Sequence, residues 1–134
     1  MARSPRGGNN QTKMKILVVD DSELITSRLV ARLTAIPGMR DIDTADSLKQ
    51  TLHCVEFRRP TLLILDLHLP DGDALQILPA LKLLAPGMQI AMLTNDASEF
   101  NRTKCLQAGA DWFFDKSTEF EDVLDLVQRQ MLLQ

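Results

Sequence analysis

Short apolar runs that end in an acid or a hydroxyl alternate along this chain with longer stretches of helical spacing. Ile16, Leu17, Val18 and Val19 run into Asp20 and Asp21, the pattern of a strand buried on both faces that opens into a polar loop. Ile25, Leu29, Leu33 and Ile36 then recur at helical spacing behind Ser22, a plausible N-cap, and Pro37 with Gly38 stops the element. A second, weaker strand is expected over Asp41 to Ala45 and a helix over Ser47 to Phe57, before Pro60. Leu62 to Leu65 is again wholly apolar and again ends in an aspartate, Asp66, followed by the turn-rich LHLPDGD.

The second half repeats the plan. A helix after Asp73 carries Leu75, Leu78, Leu81 and Leu84, ends at Pro86 and Gly87, and contains Pro79, which is expected to kink it. Ile90 to Leu93 runs into Thr94, a helix is expected near Ala97 to Ala108 with Gly109 as its cap, and Trp112 to Phe114 form a short strand before Lys116. The last helix opens on Thr118 to Glu121, a capping-box pattern, with Phe120, Val123, Leu124, Val127 and Met131 on one stripe. Five strands alternating with five helices predict an α/β fold, a doubly wound parallel sheet with right-handed crossovers. In such sheets a ligand binds beyond the carboxyl ends of the strands, where this chain places Asp20, Asp21, Asp66, Thr94 and Lys116.

Composition narrows the class. A chain of 134 residues with 45% hydrophobic content builds one core. Residues 1–13 hold Arg3, Arg6 and Lys13, no acid and no apolar run, so they read as a flexible tail and not a secretion signal. Without their three positive charges, residues 14–134 carry a formal net charge of −6, which argues against nucleic acid as the direct partner of this domain. No stretch is long enough to span a membrane. Cys54 and Cys105 have no metal-like spacing and no histidine pair, and they read as reduced thiols of a cytoplasmic protein.

The chemistry follows from the crowded rim. Several carboxylates together need a positive neighbour, and oxygen donors at this density suit a hard cation such as Mg²⁺. With such a cation present a carboxylate can attack phosphorus, and Asp66, at the end of the central apolar strand, is the best nucleophile. Lys116 would place a positive charge on one phosphoryl oxygen and the Thr94 hydroxyl a hydrogen bond on another.

The blocks KILVVDDS at 15–22, LILDLHLPDGDAL at 63–75, AMLTN at 91–95 and GADWFFDKS at 109–117 resemble the four signature blocks of two-component response-regulator receivers. The likeness runs from Met14 to about Gln130, in the family's order and spacing. It implies a flavodoxin-like receiver in which Asp66 takes a phosphoryl group from a sensor histidine kinase or a phosphotransfer protein. Asp21 would bind Mg²⁺ directly, Asp20 through water, Asp66 as a further ligand, and the backbone carbonyl of His68 would complete the protein's share. Thr94 and Lys116 would hold the phosphoryl group. Phe113 matches the family's aromatic switch, which moves inward as Thr94 is drawn to the phosphate. The output is expected on the face of the fourth helix, fifth strand and fifth helix, with Phe113 and Trp112 side by side, where the chain would control a downstream protein or form a dimer.

Three positions depart from the family pattern. Ser117 stands where proline, often cis, follows the lysine; Asn95 stands where a small residue follows the threonine and would narrow access; Trp112 replaces a frequent glycine.

The same residues admit other readings. Asp20 and Asp21 also suit a helix N-terminus, His68 is read as a solvated loop residue, with tuning of dephosphorylation as the less favoured alternative, and Phe113 and Trp112 also suit edge-strand packing. His53 and Cys54 are assigned no chemistry. An aspartyl-phosphate phosphatase of the haloacid dehalogenase type uses a similar set, but it needs an aspartate where His68 stands. An interaction module that is never phosphorylated is the other alternative. The expected activity is thus a signalling switch that takes part in its own phosphoryl transfer, not a turnover enzyme. The chain ends at Gln134, so it reads either as a stand-alone receiver or as one excised from a regulator with an output domain.

Overall fold

The computed structural model describes residues 14–133; the expected tail at 1–13 lies outside the described residues. Five parallel strands, β1 (Lys15–Val19), β2 (Asp41–Ala45), β3 (Leu62–Leu65), β4 (Gln89–Thr94) and β5 (Trp112–Asp115), form one sheet in the order β2-β1-β3-β4-β5. Five helices cover it: α1 (Glu23–Thr34), α2 (Leu48–Arg58), α3 (Leu78–Leu84), α4 (Glu99–Gln107) and α5 (Phe120–Leu132). The doubly wound fold is the one expected.

Because side chains alternate across a strand, each strand feeds two cores. Leu17, Leu63, Leu65, Ile90 and Met92 face α2, α3 and α4, meeting Val55, Leu81 and Cys105. Ile16, Val18, Ile64 and Leu93 face α1 and α5, meeting Leu29, Leu33, Val123 and Val127. Central strands buried on both sides explain why β1 and β3 read as unbroken apolar runs.

Local chemistry sets the helix starts. Ser22, Ser47 and Ser98 each accept a backbone N–H three residues on, capping α1, α2 and α4. Two expectations about the helices are corrected. A short 3₁₀ turn, Ala74–Gln76, precedes α3, and Pro79 falls in the first turn of α3 instead of kinking its middle. A proline is tolerated there because its missing N–H would have no intrahelical partner. The capping box at Thr118 does not form, since Glu119 is the N-cap and uses no side-chain cap. Glu119 Oε1 instead accepts the Asp115 N–H at 2.8 Å, while Asp115 Oδ1 accepts from the Ser117 N–H and Oγ.

Trp112 and Phe113 are likewise not side by side. Trp112 packs with the α1/α5 core and Phe113 with the opposite one, as consecutive strand residues must. No cis peptide bond occurs among the described residues, so Lys116–Ser117 is trans.

Candidate functional site

Strand pairing continues one residue past the strands and thereby positions the rim. Asp66 N donates to Val19 O at 3.0 Å, Asp20 N to Ala45 O at 3.2 Å and Lys116 N to Thr94 O at 2.9 Å. Four segments distant in sequence therefore meet with their side chains fixed by main-chain bonds.

At the centre the Lys116 ammonium donates to Asp20 Oδ2 at 2.6 Å and Asp66 Oδ2 at 3.0 Å. The second oxygens are also engaged: Asp66 Oδ1 accepts the Leu67 N–H at 2.7 Å and Asp20 Oδ1 the Ser22 N–H at 2.8 Å. Asp20, Asp66 and Lys116 are all buried. Burial works against the ammonium, but hydrogen bonds and charge from the two carboxylates outweigh it and hold the Lys116 pKa above its ordinary value. Asp21 is exposed, and one carboxylate oxygen from each of Asp20, Asp21 and Asp66 lies within 4.8 Å of the others.

Three carboxylates thus face one ammonium, an imbalance that a second cation relieves, and their all-oxygen donors fit a hard divalent ion such as Mg²⁺. Receiver-type Mg²⁺ binding is therefore compatible with the residues present.

Thr94 is buried and its Oγ accepts the Asp96 N–H at 3.1 Å. A cavity of about 410 Å³ opens beside it, lined by Asp66, His68, Thr94, Asn95 and Asp96. Asn95 stands exposed on its wall. A second cavity of about 470 Å³, lined by residues including Asp20, Asp21, Glu23 and Asp46, opens on the other side of the acidic cluster.

His68 is solvent-exposed, as expected, but its ring is not without partners. Its Nδ1 lies 2.7 Å from Asp73 Oδ1 and its Nε2 2.6 Å from Asp96 Oδ2, and these hydrogen bonds, Asp96 first, raise the imidazole pKa. The loop that carries it is held at both ends. Residues His68–Leu69 pair antiparallel with Gly72–Asp73, and Asp71 caps α2 from outside by accepting the Leu48 and Lys49 N–H groups at 2.8 and 3.1 Å. Sequence spacing gave no role to Asp71, Asp73 or Asp96, because only the folded topology sets Asp71 against α2 and brings Asp96, in the loop after β4, to His68. The turn-rich character of LHLPDGD was the sole local signal for Asp71 and Asp73.

Phe113 is buried, at the position assigned to the switch. Arg102 of α4 lies over its ring, with Cζ 5.1 Å from the centroid. Sequence spacing gave no sign of Arg102.

The family model for the response regulator receiver domain matches residues 16–128, and the chain belongs to that family. It is 25% identical over 116 residues to the response regulator protein VraR of Staphylococcus aureus, covering 87% of this chain and 56% of that protein. The chain spans about half the length of the curated relatives it matches. A CheY-like receiver domain protein from Methanospirillum hungatei superposes with a TM-score of 0.80 at 28% identity, covering 89% of this chain and 94% of that one. A response regulator protein from Burkholderia pseudomallei, with a phosphorylated aspartic acid, calcium ion and citrate, superposes with a TM-score of 0.76 at 26% identity, covering 84% and 65%. Membership of this family makes the chain a signalling domain of two-component type. Among the described residues no helix is long and apolar enough to cross a membrane.

Proposed function

We propose that this chain is a phosphorylation-dependent switch in which Asp66 accepts the phosphoryl group of a histidine kinase or a phosphotransfer protein. The observation that carries the reading is the buried Lys116 ammonium shared between Asp20 and Asp66, beside a cavity that also receives Thr94. An Asp66 oxygen attacks phosphorus, the bond from phosphorus to the donor's imidazole nitrogen breaks, and its electron pair returns to that nitrogen. Lys116 stands where it can neutralise charge on a phosphoryl oxygen. The Thr94 hydroxyl keeps its proton free to donate while it accepts from Asp96.

Asp20, Asp21, Asp66 and the His68 carbonyl would hold Mg²⁺, which when bound supplies positive charge to the transferring oxygens. The signal would leave through the surface of α4, β5 and α5, toward a downstream protein, an output domain or a second copy of the chain.

Incubation with Mg²⁺ and a small phosphodonor, followed by intact-mass measurement, tests the assignment. One phosphoryl adduct is expected on the native chain and none on Asp66→Asn. An adduct that survives that substitution would overturn it.

A further inference from the structure

The ring of Phe113 is covered from outside by one charged side chain that also ties together the elements around it. Phe113 pairs in register with Met92, and Thr94 is opposite Asp115. Phe113 and Thr94 therefore lie on the same face of neighbouring strands, one diagonal step apart, within reach of each other's side chains. Over the ring sits the Arg102 guanidinium, 5.1 Å from the centroid, a geometry in which a cation is attracted to the aromatic face.

Two glutamates restrain that guanidinium. Arg102 Nε is 3.4 Å from Glu99 Oε1 on the same helix, and Nη2 is 3.9 Å from Glu119 Oε1 at the start of α5. The same Glu119 oxygen accepts the Asp115 N–H, the residue before Lys116. Hydrogen bonds and ion pairs thus run from Asp115, next to Lys116, through Glu119 to Arg102, a partly exposed arginine that lies over Phe113, with Thr94 one diagonal step from that ring. No element of this path depends on a ligand.

We infer that Arg102 is a positioning residue that holds the Phe113 ring buried and so favours the arrangement of the Asp66 pocket that accepts a phosphoryl group. The inference rests on the switch reading proposed above and adds to it the residue that sets the switch's resting balance. Coupling of this kind is reciprocal. If a bound phosphoryl group and Arg102 favour the same ring position, removing Arg102 must weaken binding at Asp66, although Arg102 forms no hydrogen bond or ion pair with the Asp66, Lys116 or Thr94 side chains. A purely local surface role would leave the pocket's affinity unchanged.

The test is a titration of the full chain with beryllofluoride, a phosphoryl mimic, at saturating Mg²⁺, followed by the backbone amide signals of Thr94 and Phe113. Arg102→Ala should bind the mimic roughly two- to tenfold more weakly, a range set by the strength of a partly exposed cation over a ring. Arg102→Lys, which keeps the charge, should recover part of the loss, and Mg²⁺ alone should bind all three proteins equally. Amide spectra of the free proteins would show that each is folded. Equal or tighter binding of the mimic by Arg102→Ala, or an equal loss for Mg²⁺ alone, would overturn the inference while leaving the phosphoacceptor assignment in place. Failure of the native chain to bind the mimic at all would instead overturn that assignment, and the positioning role with it.

Discussion

Two clusters in which one nitrogen-bearing side chain bridges two carboxylates share the rim of this sheet, and they differ above all in their exposure to solvent. Asp20–Lys116–Asp66 closes with bonds of 2.6 and 3.0 Å, Asp73–His68–Asp96 with 2.7 and 2.6 Å. The first has side chains no more than 10% exposed, while those of the second are about half exposed. Equal distances do not mean equal energies. A charge withdrawn from water depends on its partner for nearly all its stabilisation, whereas an exposed pair exchanges one set of good contacts for another. The buried cluster is therefore the one able to respond strongly when a metal or phosphoryl group adds charge beside it.

Removing the shared cation should separate the two clusters most sharply. In Lys116→Met the buried carboxylates lose their partner, and we expect about 3 kcal/mol less stability by urea denaturation without divalent ions. Part of this should return with Mg²⁺ if, as proposed, the ion binds the folded site and not the unfolded chain. A loss no larger than that of an exposed pair would show that water reaches Asp20 and Asp66 freely.

Asp66→Asn should have a smaller effect on stability. The Leu67 N–H keeps an oxygen acceptor and Lys116 keeps Asp20, so a change of about 1 kcal/mol or less is expected, with weaker Mg²⁺ binding. A large destabilisation would mean that the Asp66 charge itself holds the fold.

The smallest effect belongs to the cluster with the shortest pair of bonds. His68→Ala should alter stability by about 0.5 kcal/mol or less, and about 1 M salt should screen out what remains. A salt-resistant loss would make the exposed bridge a structural strut and erase the contrast. Asp71→Ala tests the loop beneath it, and faster amide exchange at Leu48 and Lys49 is the expected sign that the outside cap of α2 has gone.

The same contrast explains what was legible in the sequence. Asp20, Asp66 and Thr94 each end an apolar run and Lys116 follows one by a single residue, and a doubly wound sheet brings such ends together whatever the loops do. The strands were readable because burial on both faces leaves unbroken apolar stretches. His68, Asp73 and Asp96 sit in polar loops whose spacing carries no period, so their meeting had no signature before the loops were placed. Pro79 and Thr118 show the limit of local rules. Each matched a real pattern, but Ala74–Gln76 took up the turn before α3, and Asp115 and Glu119 formed the turn before α5. Trp112 and Phe113 were adjacent in sequence and therefore, on a strand, bound to face apart.

The most direct measurement of the central claim is localisation of the phosphoryl group by peptide mass after reaction with Mg²⁺ and a small phosphodonor. It should lie on Asp66 alone, and an unmodified chain, or a phosphoryl group carried by Asp20 or Asp21 instead, would contradict the account.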